Sequence, residues 1–94
     1  MENIKTVVEE QLNTTVTNIS SVGNGATATC YCIETVDSPF KLVVKTSKHF
    51  ELMREEMNMN KFLRKNVGFK IPETYFLAEK DSISYLGMEF IDGV

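Results

Sequence analysis

The chain has 94 residues, 43% of them hydrophobic and 24% charged, with a formal net charge of −3. That length allows one domain hiding only about 60% of its unfolded surface, and an acidic balance with no basic block excludes nucleic acid or an anionic membrane surface as the expected partner. No apolar stretch nears the roughly 20 residues that span a bilayer, and Met1 followed by Glu2 and a polar helix argues against a secretory signal, so a cytoplasmic protein is expected.

Ile4, Val7, Val8 and Leu12 recur at helical spacing, which predicts a short amphipathic helix from Glu2 to about Leu12, with Glu9 and Glu10 on its solvated face. Asn13-Thr14-Thr15 interrupts it, and the β-branched run Thr15 to Val22 predicts a first strand. Gly23-Asn24-Gly25-Ala26-Thr27-Ala28 is a turn or loop, and Thr29 to Thr35 a second strand. Cys30 and Cys32 share one face of that strand. Such neighbours rarely close a relaxed disulfide, and two ligands make no zinc site, so free thiols are expected.

Val36-Asp37-Ser38-Pro39 is a turn and Phe40 to Thr46 a third strand. Ser47 is placed as the N-cap of a helix reaching about Asn66, with Gly68 as C-cap and Pro72 barring continuation. Thr74 to Glu79 and Ile83 to Phe90 are strands joined by the turn Lys80-Asp81-Ser82. The fold class is therefore α+β: a five-stranded antiparallel meander, one long helix after strand three, and a short N-terminal helix.

Alternation in the third strand puts Phe40, Leu42 and Val44 on one face and Lys41, Val43 and Lys45 on the other. At about 100° per residue, Leu52, Met59 and Leu63 form an apolar stripe on the long helix, widened by Phe50, Met53 and Met57. The methionines are read as core and the lone His49 as solvated, while Glu51, Arg54, Asn58, Lys61 and Lys65 gather on the opposite, solvated side. Glu56 falls inside the apolar arc and Glu55 at its polar edge. A carboxylate in a buried stripe is costly unless a cation meets it, and Lys45 is the candidate.

Gly23-x-Gly25-x-x-Ala28 could open a dinucleotide-binding unit only if a helix followed. The sequence continues as a strand instead. Strand, glycine turn, strand is what a phosphate-covering flap requires, because glycines let backbone amides approach phosphate oxygens.

These features in order, then Val43-Val44-Lys45, Arg54-Glu55-Glu56, Lys70-Ile71-Pro72-Glu73 and Leu86-Gly87-Met88-Glu89-Phe90-Ile91-Asp92-Gly93, resemble the N-terminal lobe of the aminoglycoside phosphotransferase and choline kinase family, which has the protein-kinase-like fold. The resemblance runs from about Ser20 to Val94. It implies that Gly23, Asn24, Gly25, Ala26 and Thr27 cover the phosphates of ATP, and that Lys45 holds the α- and β-phosphates while Glu56 positions it. Ala28 stands where the protein-kinase pattern has a third glycine. The approach from Lys45 to the helix is short, which keeps Glu55 as a second candidate partner, although the helical phase favours Glu56. Val43 and Met88 would line the adenine slot, and Glu89, Phe90 and Ile91 would form the linker, the Glu89 carbonyl accepting from the adenine amino group and the Ile91 amide donating to the ring.

The same resemblance places the base and the Mg2+ ligands in a C-terminal lobe whose His-Gly-Asp signature does not occur here. The 94 residues are thus expected to be an ATP-binding lobe of a small-molecule kinase, inactive alone. The acceptor would be a hydroxyl of an antibiotic, amino alcohol or sugar, and aminoglycoside, macrolide, choline-like and fructosamine-like acceptors are not distinguished. An exposed apolar patch at Met88, Phe90 and Ile91 is expected to promote self-association. The competing reading is a non-enzymatic interaction domain in which Lys45 and Glu56 only staple a helix to a sheet.

Overall fold

In a computed structural model describing residues 2–24, 28–66 and 71–90, the chain runs α1 (Glu2–Leu12), β1 (Val16–Asn24), β2 (Thr29–Thr35), β3 (Lys41–Ser47), α2 (Phe50–Asn66), β4 (Thr74–Lys80) and β5 (Ile83–Glu89). All strand pairs are antiparallel, in the order β1-β2-β3-β5-β4. The expected meander holds for the first three strands. β5 rather than β4 then takes the place beside β3, because α2 carries the chain across one sheet face and β4 comes down at the far edge.

Alternation along β3 and β5 separates two cores. Ile33, Leu42, Val44 and Tyr85 meet Ile4, Val7 and Val8 of α1 on one face. Leu86 and Met88 meet Met53 of α2 on the other, flanked by Val43, Met57 and Leu77. The sheet is therefore sandwiched between the two helices, which suits a small chain that must hide both faces of its central strands.

Local chemistry sets the boundaries. Asn13 closes α1 with a φ of 52°, a left-handed position that asparagine tolerates well. Asp81 and Ser82 have φ of 53° and 68°, the signature of the primed two-residue turn that matches strand twist, and it joins Lys80 to its partner Ile83. At the end of α2 the Asn66 side-chain amide donates to the Phe62 carbonyl at 2.7 Å. The expected C-cap Gly68 lies outside the described residues.

Several expectations are corrected. Phe40 does not open β3: it has a φ of 68°, donates its amide to the Asp37 carbonyl at 2.9 Å in the turn, and is 61% exposed rather than on the Leu42 face. β1 runs on through Gly23 and Asn24, so the turn is shorter than expected. Ser47 is the last residue of β3, and its hydroxyl accepts from the His49 amide at 3.0 Å. His49 instead supplies the carbonyl that takes the first helical bond, from the Met53 amide at 3.2 Å.

Glu9 is half-buried, its carboxylate accepting the Val16 amide at 2.9 Å and tying α1 to β1, where a solvated face was expected. The apolar stripe of α2 is displaced too. Met53 faces the sheet, whereas Leu52 and Met59 are 53% and 57% exposed, because the apolar arc is wider than the strip of sheet beneath the helix. Met88 is buried rather than part of an exposed patch, and Phe90 is half-buried with the Lys41 ammonium 4.6 Å from its ring centre.

Candidate functional site

β3 and α2 bring the central pair together. Lys45 Nζ donates to both carboxylate oxygens of Glu56, at 2.7 and 3.0 Å. Their side chains are 27% and 33% exposed, so the pair is partly solvated rather than sealed in the core. Glu55 is exposed and points elsewhere, which settles the pairing in favour of Glu56.

Strand register builds the surroundings. Lys45 lies opposite Cys30 on β2 and opposite Leu86 on β5, and Cys30 in turn lies opposite Gly23 on β1. A second row joins Ser20, Cys32, Val43, Met88 and Thr74. Partners in such rows share a sheet face, so Gly23, Cys30, Cys32, Val43, Lys45 and Met88 lie on the face that carries α2. Both cysteines are free. Their presence beside Lys45 was not anticipated, although counting pairs back from the Val36–Pro39 turn gives it.

Gly23 is open above the sheet. A Cβ built there meets nothing within 4 Å, and its φ lies outside the left-handed region. Neither packing nor backbone geometry demands a glycine here, which leaves room for a close approach from outside. Asn24 is paired with Thr29, while Gly25, Ala26, Thr27 and Ile91 lie outside the described residues.

The end of β5 is anchored to β4. The Glu89 amide donates to the Glu73 carbonyl at 2.7 Å, the Glu73 amide donates to the Glu89 carboxylate at 3.2 Å, and Arg64 of α2 stands 3.9 Å from that carboxylate. Arg64 was missed because it belongs to no recognisable motif, and Glu73 was read only as the end of the Lys70-Ile71-Pro72-Glu73 segment, because their meeting depends on where α2 ends. Tyr75 beside them has its hydroxyl pushed above the usual value, by burial first and then by Glu89 and Glu73.

The fructosamine kinase family model matches residues 1–94, the whole chain. The chain belongs to the fructosamine kinase family. The residue pattern alone had pointed to aminoglycoside phosphotransferases and choline kinases, and the family match is the more specific finding. Among solved structures, the "Putative fructosamine-3-kinase" of Haemophilus somnus 129PT is similar at a TM-score of 0.76 and 19% identity over 95% of this chain. The likeness establishes a kinase-like N-terminal lobe as the fold. This member of the family spans 31% of that solved chain. No curated protein matches it.

Among the described residues no group of three or more His, Cys, Asp or Glu side chains is placed to hold a metal ion. Among them also, no helix is long and apolar enough to cross a membrane.

Proposed function

We propose that the chain is the ATP-binding lobe of a cytoplasmic small-molecule kinase, forming a single unit over residues 1–94. Family membership supports kinase chemistry, and the fructosamine class is the acceptor its name points to, in place of the antibiotic or choline-like acceptors also considered. The observation that carries the reading is the Lys45–Glu56 pair at 2.7 Å on the sheet face shared with Gly23, two strands away in the same row.

An ammonium has three donors. Two are directed at the Glu56 oxygens, so one remains for a phosphate oxygen on the partly solvated side of the pair. Glu56 positions that donor, and Lys45 binds the α- and β-phosphates. Gly23 leaves space for the backbone to close over them, together with Asn24, Gly25, Ala26 and Thr27. Val43 and Met88, opposite each other in register, flank the adenine. Glu89, Phe90 and Ile91 form the linker that bonds its edge. ATP supplies the transferable phosphoryl group when bound.

Magnesium finds no ligand cluster among the described residues, so no step is assigned to it here. For the same reason the chain alone is proposed to bind nucleotide without transferring phosphate.

The test is an amide-shift titration with a non-hydrolysable ATP analogue and magnesium. Shifts are expected at Gly23, Asn24, Lys45 and Met88 to Phe90, and they should disappear in Lys45→Met. Saturable shifts that leave these positions untouched, or that survive Lys45→Met, would remove the proposal.

A further inference from the structure

A cavity of about 370 Å³ lies between the C-terminal end of α2 and the start of β4, lined by Lys61, Arg64, Lys65, Glu73 and Thr74. We propose that it is a second ligand site, for a compact phosphate-bearing dianion, apart from the Lys45–Glu56 pair and independent of the kinase reading.

Position separates the two sites. Lys61 lies five residues beyond Glu56, about 140° further round the helix, so it faces away from the side that meets Lys45. Lys61 and Lys65 are one turn apart and exposed, and neither side chain has a hydrogen-bond or ion-pair partner among the described residues. Arg64 between them is already oriented, its Nη1 donating to the Ile71 carbonyl at 2.7 Å and standing 3.9 Å from the Glu89 carboxylate. A guanidinium has five N–H donors, so several remain for an oxyanion, in the planar fork that suits phosphate.

Charge points the same way. Among the described residues, three cations stand against Glu73 and against the Glu89 carboxylate 3.9 Å from Arg64, which leaves a net excess of one positive charge around the cavity, in a chain whose overall balance is −3. The helix dipole accounts for Arg64 and Lys65, which lie in the last turn of α2. It accounts neither for Lys61 nor for the space the three enclose with β4. That space equals the liquid volume of about a dozen waters, room for pyrophosphate or a small phosphate monoester.

The experiment titrates the chain with inorganic pyrophosphate, following backbone amides, against sodium chloride at equal ionic strength. Saturable shifts at Lys61, Arg64, Lys65 and Thr74 are expected. The double variant Lys61→Gln/Lys65→Gln should weaken binding about tenfold, two exposed charge contacts being worth roughly one decade. Lys5→Gln on α1 should leave it unchanged. The proposal is overturned by linear shifts that sodium chloride reproduces, by saturable shifts confined to Gly23 and Lys45, or by a double variant that binds as tightly as the parent.

Discussion

The ring of Phe76 occupies the place a side chain at Gly87 would need. An ideal Cβ on Gly87 falls 2.3 Å from Phe76 Cε2. The two residues are direct partners across β4 and β5, beside an irregularity that leaves Tyr75 without a partner in the ladder. Phe76 is 8% exposed, so its ring cannot simply swing into solvent. Gly87→Ala is expected to destabilise the fold by about 1–3 kcal/mol through overpacking. In a domain of this size each kcal/mol lowers the melting temperature by about 4–8 °C. A thermal melt by circular dichroism checks it, and an unchanged midpoint would mean that the ring yields freely.

Gly23 makes the opposite prediction. Its Cβ position is empty and its backbone is not left-handed. Gly23→Ala should leave the melting temperature within about 3 °C or raise it slightly, since alanine restricts the unfolded chain. Gly23→Val should hold the fold as well, β-branched residues being at home in strands. If the flap reading is right, both weaken the ATP analogue while the melt stays put. Variants that bind as the parent does would leave the flap without a role for this glycine.

Glu56→Gln separates positioning from scaffolding. The pair is partly solvated, so its loss should cost only about 1 kcal/mol. Nucleotide affinity should fall clearly more than that small loss implies, while Glu55→Gln, at an exposed position, should change neither quantity. Equal effects of the two variants on affinity would contradict the assignment.

Tyr85 gives a pH dependence. Its hydroxyl is pushed above the ordinary value of 10.0, by burial first, then by Asp81 and Tyr31. The folded state therefore holds this proton more tightly than the unfolded chain. The stability it contributes is fully present below pH 10 and drains away as pH rises through the folded value. Denaturant midpoints should fall above pH 10, and Tyr85→Phe should flatten that fall. Identical alkaline limbs in the two proteins would show that other groups control it.

How much of this was legible in the sequence depends on what each residue's position is decided by. The Lys45–Glu56 pair could be read because strand and helix periodicities each fix a direction, and the two directions converge. Helix and strand identities followed in the same way from spacing. Phe40 misled because its hydrophobicity resembles a strand start, while the turn from Asp37 imposes a left-handed backbone on it. Leu52 and Met59 misled because amphipathicity gives the width of an apolar arc and not which part of it the sheet covers. The contacts of Glu9, Arg64 and Glu73 were invisible, since their partners are backbone groups or distant side chains whose meeting depends on where elements end.

The insertion of β5 between β3 and β4 governs the order in which the molecule can assemble. β1 to β3 pair through short hairpins, but Lys45 meets Leu86 only after the whole of α2 and β4 has been made and looped back. Closing that long loop is the entropic toll of folding, paid before its contacts return anything. A nascent chain halted before Ile83 would hold Lys45 on a bare sheet margin, open to a strand from another molecule.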